Sequence, residues 1–279
     1  VKDNQWVALL ARHREGACTE DDIAEVRKLV LTNKECNVPN FTMLPWSAAV
    51  LVMPCNSVQT RWNAVALHQH CTLTSHLLYI VLAEDTMGKE RSSLSLEAQV
   101  IVVGTKPMAT EKLEQTIEIA VGMIAMVTLN IATEADVANR MQGEIVDIVL
   151  DPRETVNNHS VGEDSTVILC YLPSVIIFRP LHCTFPQFPG LQEGLIPIFP
   201  AERKFMVQGH SGGKIKVTQR QLGLTVGYTF TDYKAQGQTL EHVIVDLTKL
   251  PRGSITPFGA YIALSRSRGR HNQTVARFQ

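Results

Sequence analysis

Residues 4–14 place Trp6, Val7, Leu9 and Leu10 at mostly helical spacing, which predicts a first helix broken at Gly16. Thr19 opens a second helical stretch, in which Ile23, Val26, Val30 and Leu31 recur on one face. The run Thr19-Glu-Asp-Asp22 fits an N-cap followed by acidic residues in the first turn. Residues 33–45, with Pro39 and Pro45, read as a linker. The short apolar run from Ala48 to Val52 predicts a buried strand ended by Pro54, and 56–71 predicts a helix. A strand followed by a helix is the unit of a parallel α/β sheet. Residues 77–82 form a second strand-like run.

The middle of the chain changes character. Met123–Leu129, Glu144–Leu150, Thr166–Leu172 and Val175–Phe178 are short β-like runs separated by turn-rich pieces, a pattern that predicts a small β-rich insert. Residues 180–200 hold Pro180, Pro186, Pro189, Pro197 and Pro200 and read as an extended connector without regular structure. Thr225–Thr229 is strand-like and Val243–Leu247 reads as another buried strand. Asp232–Gly237 is a polar loop or helix start, and Ala260–Leu264 begins the last apolar segment. No run reaches the ~18 apolar residues of a membrane span.

Composition narrows the function classes. The chain has 279 residues, 45% of them hydrophobic, enough for one large domain or two modest ones. A formal net charge of −1 argues against a purely electrostatic nucleic-acid binder. It leaves room for a protein that holds single strands in a local groove. The six cysteines form no C-x-x-C pair and are scattered among apolar stretches, as buried reduced thiols would be. His68, His70 and Cys71 are metal-ligand types, but the two histidines point to different sides of a helix, so no metal site is expected. The chain begins at Val1 without an initiator Met, as an excerpt of a longer protein would.

The candidate chemistry is concentrated near the end. Tyr228-Thr-Phe-Thr-Asp-Tyr-Lys-Ala-Gln-Gly-Gln-Thr-Leu240 places polar groups and glycine beyond a strand, where open α/β sheets bind ligands. Tyr261-Ile-Ala-Leu-Ser-Arg-Ser-Arg268 ends an apolar segment with two guanidinium groups, the side chain that reads phosphate through a planar fork. An arginine at the rim of one domain can reach a phosphate bound on its neighbour.

These two stretches, in this order and with a strand between them, resemble the T-x-H-K-S-Q-G-x-T and Y-V-A-L-S-R-A/V-R motifs of superfamily 1B helicases of the Pif/RecD type. Three further segments agree. Ala49–Asn63 resembles the strand and helix that open the second motor domain. Asn130 with Asn139–Val146 resembles the region where a small β-barrel begins. Phe188–Pro200 resembles a connector of transposon-associated (Helitron-like) and fungal-type members. The resemblance implies an α/β fold with a RecA-like parallel sheet, the second motor domain of a helicase, carrying an inserted small β-barrel-like subdomain. On it, residues 1–45 are the helical tail of a first RecA-like domain plus linker. Residues 46–129 and 215–279 are the two segments of the second RecA-like domain, and 130–214 are the insert and connector.

The resemblance also assigns roles. Arg266 matches the arginine that contacts the terminal phosphate of ATP, and Gln236 and Gly237 match the pair coupling the nucleotide cleft to the DNA groove. Thr231, Lys234 and Thr239 match positions near the DNA backbone, with Tyr233, Tyr261, Ser265 and Arg268 in support. Tyr233 and Ala235 stand where the family has His and Ser, and Arg140 stands where a turn glycine is usual. ATP and Mg²⁺ are the implied cofactors, and single-stranded and duplex DNA the implied partners, together with a first RecA-like domain. The implied compartment is the nucleus, or the mitochondrion. A phosphate loop of the form G-x-x-x-x-G-K-[ST] is not in the sequence: Gly88-Lys89 and Gly213-Lys214 are followed by Glu90 and Ile215. Gly209–Lys214 reads as a hairpin tip. The isolated chain is therefore expected to lack ATPase activity. The competing expectation is a non-catalytic module that binds single-stranded nucleic acid or a partner.

Overall fold

Strand β1 (Val50–Met53) is buried along its whole length, as a strand flanked on both edges must be. The computed structural model describes the chain apart from residues 1–2, 89, 106–112, 131–138, 155–164, 182–186, 210–211, 232–234, 238, 249–255 and 279. It divides into two compact units, one formed by Val1–Val65 with Tyr228–Gln279 and the other by Ala66–Gly227.

The first unit is built on a four-stranded sheet in which β1 lies between β14 (Thr229–Thr231) and β15 (Val243–Leu247), with β16 (Gln273–Phe278) outside β15. Every pairing in it is parallel. Parallel neighbours require crossovers, and the one between β15 and β16 contains helix α5 (Pro257–Leu264). Thr256 caps α5 through its hydroxyl, and Pro257 suits the first helical position because no donor is lost there. Helix α1 (Asn4–Glu15) buries Trp6, Leu9 and Leu10 and ends on Gly16, whose φ of 71° is the left-handed conformation expected of a glycine stop. Helix α2 (Glu20–Lys28) starts on the expected N-cap Thr19, which forms a reciprocal capping box with Asp22. It stops earlier than its apolar spacing predicts. Val30 bridges Val275 in parallel, so the backbone beside β16 offers better partners than another helical turn.

The second unit is mainly β. A five-stranded antiparallel sheet runs in the order β10-β9-β7-β6-β13, comprising Ile196–Ile198, Val175–Pro180, Gln142–Val149, Ile124–Val127 and Leu224–Val226. Its two ends are β10 and β13. A second sheet combines the hairpin β11 (Ala201–Gln208) and β12 (Lys214–Gln221) with β3 (Glu84–Met87) and β4 (Ser92–Ser93). Helix α4 (Leu96–Gly104) packs Ala98 and Val102 against Phe205, Val207 and Val217 of this hairpin. The third sheet joins β2 (Leu78–Leu82) to β5 (Thr116–Ile119) and β8 (Thr166–Ile168).

Two expectations are corrected. The proline-rich stretch 180–200 is not wholly irregular, because Ile196-Pro-Ile198 pairs with β9. Pro197 is tolerated because β10 is an end strand, where a missing N–H costs no ladder bond on the outer side. The run Thr225–Thr229 is not one strand. Its first part pairs with β6, and its last residue opens β14 of the parallel sheet. Gly227 marks the break: a Cβ there would lie 2.8 Å from the Ala125 carbonyl carbon, so no larger residue fits. Among the described residues, no helix is long and apolar enough to cross a membrane.

Candidate functional site

The candidate groups flank two strands of the parallel sheet, following β14 and preceding β16. Thr231, the last residue of β14, is in register with Met53, the last of β1. Thr231 therefore ends β14 level with the end of β1. Open parallel sheets gather their ligands at this end.

Helix α3 (Asn56–Thr74) begins in this unit and fixes β14 through two side chains one turn apart. The Asn63 Oδ1 accepts from the Thr229 backbone N–H at 2.9 Å and from its hydroxyl at 3.0 Å. Gln59 donates its Nε2 to the Thr229 carbonyl at 3.1 Å. Both amides are buried. A buried polar group costs stability unless bonded, so these bonds set where β14 begins. No role was expected of Gln59 or Asn63. Their signal in the sequence is a pair of amides at i and i+4, which share one face of a helix.

Arg266 lies just past the end of α5 and is half-buried. Its Nε donates to the Ile262 carbonyl at 2.8 Å, one Nη to the Ser265 hydroxyl at 2.6 Å, and the other to the Ala235 carbonyl at 3.2 Å. The Ser265 hydroxyl in turn donates to the Ile262 carbonyl at 3.0 Å. Burial lowers the Arg266 pKa from its ordinary value, and nearby Tyr261 opposes the shift. An arginine remains charged at neutral pH under such a shift. Tyr261 packs beside Phe258 with ring centroids 6.3 Å apart.

The two sequence motifs meet. Besides the Ala235–Arg266 bond, the Leu240 N–H donates to the Arg266 carbonyl at 2.9 Å, and Leu240 bridges Ser267 in parallel. Ala235 is buried between these contacts, while Gln236, Gly237 and Thr239 are exposed around it. Gly237 has φ 84°, a conformation that glycine adopts without strain. Thr231 is buried in β14. Arg268 is exposed, 4.0 Å from the Glu241 carboxylate. Tyr233 and Lys234 lie outside the described residues.

Cys55 sits where β1 gives way to α3. Its thiol lies 3.1 Å from the Ser57 hydroxyl. That hydrogen bond, with backbone N–H groups of Val58 and Ser57, lowers its pKa against the opposing effect of burial. In the second unit, Arg140 keeps a φ of 78° although it is not glycine. Its N–H donates to the Val127 carbonyl at 2.7 Å, so the turn retains the geometry a glycine would give it. His70 bonds the Val121 carbonyl through Nε2 at 2.9 Å, an ordinary structural role. Among the described residues, no group of three or more His, Cys, Asp or Glu is placed to hold a metal ion.

No protein-family model matches the chain, and no curated protein sequence matches it. Solved structures do. The Pif1 helicase of Candida albicans superimposes with a TM-score of 0.62 over 99% of this chain, at 18% identity. A Bacteroides Pif1 bound to single-stranded DNA does so with a TM-score of 0.59 over 100% of this chain, at 14% identity. A structure of two coordinating Pif1 helicases at forked duplex DNA gives 0.58 at 14% identity. This chain spans 54%, 50% and 48% of those three chains, about half their length. The likeness establishes a Pif1-helicase-related α/β fold with mixed sheets.

Proposed function

We propose that this chain is the second motor lobe of an ATP-dependent DNA helicase of superfamily 1B, working with a first lobe that holds ATP and Mg²⁺. One observation carries the reading. The Arg266 guanidinium is bonded to Ala235, next to Gln236 and Gly237, in the connection that follows β14 of the parallel sheet. In such a motor, ATP draws the two lobes together and hydrolysis releases them. Arg266 would stabilise charge developing on the transferred phosphoryl group, an effect of about 10³–10⁵ in rate where measured. Gln236 and Gly237 would pass the change to the strand-contacting loop, with Lys234 and Thr239 beside the DNA backbone. Strand grip would rest on backbone contacts rather than base reading. The first unit would form the motor sheet, and the five-stranded sheet of the second would correspond to the barrel-like insert. Unwinding of duplex DNA, and a Helitron-like or fungal-type lineage, belong to the same reading.

The chemistry needs the fork of Arg266 to turn outward. In this structure it donates to Ile262, Ser265 and Ala235. Reaching a phosphate requires leaving the Ala235 carbonyl, so nucleotide binding and release of the Gln236 loop become one event. The test is DNA-stimulated ATP hydrolysis by this chain joined to a phosphate-loop lobe. Turnover should fall by about 10³-fold or more for Arg266→Ala, and this chain alone should show none. Unchanged turnover in the variant would remove Arg266 from the reaction.

The inward bonding of Arg266 also supports a second reading, a non-catalytic lobe that holds single-stranded nucleic acid. It predicts strand binding by this chain that Arg266→Ala leaves unaltered, and no hydrolysis in any assembly.

A further inference from the structure

A cavity of about 160 Å³ opens at the amino end of the parallel sheet, under the start of β16. Gln273 forms part of its wall, beside Trp46, Asn37, Lys28 and Arg270. Gln273 is in register with Val243, and Val243 with Val50, so it lies at the amino ends of the strands. Arg266 is not among the residues of the cavity wall.

Gln273 is 3% exposed, yet neither Oε1 nor Nε2 has a hydrogen-bond partner. Its neighbours in the wall are already engaged. The Thr274 hydroxyl donates to the Leu29 carbonyl at 2.9 Å, and the Cys36 thiol is bonded to the same oxygen. Lys28 pairs with Glu25 at 2.6 Å, and Arg270 with Asp3 at 2.7 Å and Glu25 at 3.2 Å, so the rim is close to charge balance. The cavity is thus not a simple anion site. Its wall holds the unpartnered Gln273 amide, donor and acceptor side by side, together with an aromatic ring; the amide is shut off from water and must turn into the cavity to meet a ligand.

We propose that this cavity is a binding site for an adenine base, supplied by a free nucleotide or by a single strand. Gln presents its carbonyl and NH₂ as a matched pair to the amino group and ring nitrogen of adenine. The indole of Trp46 gives the base an aromatic surface. Its own ring packs edge-on to Phe41 and His242, which holds it in place. The volume is below the ~300 Å³ at which drug-sized pockets begin, and suits a single flat heterocycle. Lys28 and Arg270 at the rim can share their charge with a phosphate attached to that base.

The experiment uses this chain with AMP, GMP, CMP, oligo(dA) and oligo(dT), read by equilibrium binding and by side-chain amide NMR signals. AMP and oligo(dA) should bind in preference to the others and shift the Gln273 NH₂ resonances. Binding of AMP without oligo(dA) identifies a free nucleotide as the source, and the reverse identifies a strand. Gln273→Met keeps the shape and removes the amide. It should fold at least as stably, since an unbonded polar group is lost, and should weaken adenine binding by about tenfold or more. Trp46→Leu should weaken it too, with recovery in Trp46→Phe. Arg266→Ala should leave it unchanged, which separates this site from the motor reading. Equal binding of AMP, GMP and CMP, or no effect of Gln273→Met on AMP binding, would overturn the proposal. So would a cavity holding only ordered water at millimolar AMP.

Discussion

The Ala235 carbonyl accepts a hydrogen bond from Arg266 at 3.2 Å, across thirty-one positions of sequence. The same arginine returns the connection through its own carbonyl, which accepts from Leu240 at 2.9 Å. Arg266 therefore closes the loop on both sides of Gln236 and Gly237. The residue proposed to meet the phosphate and the residues proposed to sense it form one hydrogen-bonded element.

Arg266→Lys tests how much of that element depends on the planar fork. An ammonium on a flexible stem cannot reproduce the three divergent bonds to Ile262, Ser265 and Ala235. The variant should unfold in urea with about 1–2 kcal/mol less stability. Amide exchange should rise at Leu240. A variant as stable as the wild type, with unchanged exchange, would show that the fork contributes nothing to the loop.

Asn63→Ala should loosen β14. It removes the acceptor for both the backbone N–H and the hydroxyl of Thr229 and leaves a buried donor unsatisfied. The expected loss is about 2–3 kcal/mol, most of it the cost of the unpaired N–H. Thr229→Val in the same background should recover little, because the backbone donor remains. Thermal unfolding of the two variants checks both points.

Much of the first unit was readable from local pattern. Thr19 with Asp22, Gly16, and the apolar run from Ala48 to Val52 each obey a rule that acts over a few residues. Motif spacing named Arg266 and the segment around Gln236, and the structure brings the two into contact. What escaped was long-range. The second half of the apparent strand 225–229 changes sheets at Gly227, and only the close approach of Ala125 shows why. Pro197 looks like a strand breaker until its edge position is known. Gln59, Asn63 and Gln273 look like surface amides, because partners and burial are fixed by packing that no local period encodes.

Gly143→Ala should be among the most damaging single-methyl changes in the second unit. A Cβ at Gly143 would lie 2.4 Å from both the Arg179 carbonyl oxygen and the Phe178 ring. The oxygen belongs to β9 backbone paired with β7, and Phe178 is fully buried, so neither can step aside cheaply. A loss of about 3 kcal/mol or more is expected, at the upper end of overpacking costs. The contrast is Gly190→Ala, where space is open and the cost comes from φ 81° alone, about 1–2 kcal/mol. Urea midpoints that rank these two the other way would contradict the packing described for β7 and β9.

Asp22 should make the stability of this chain depend on acid. The Arg12 guanidinium donates its Nε to the Asp22 carboxylate at 2.8 Å and the Thr19 backbone N–H donates to it at 3.0 Å, while the Thr19 hydroxyl accepts from the Asp22 backbone N–H at 3.2 Å. Those Arg12 bonds outweigh burial and hold the Asp22 pKa well below the usual carboxylate range. The sign follows from linkage. A depressed folded pKa contributes stability above the unfolded value of about 3.9, and that contribution is lost as pH falls toward the folded value. Asp151 is likewise lowered, to about 2, chiefly by Arg153. That pair is solvent-facing, with the Arg153 side chain 60% exposed, so screening leaves it little weight. Urea midpoints measured from pH 7 to pH 3 should therefore fall steeply in the wild type and in Asp151→Asn. They should fall distinctly less in Asp22→Asn, which starts from a lower midpoint at pH 7. Parallel curves for wild type and Asp22→Asn would mean that the α1–α2 ion pair does not govern the acid limb.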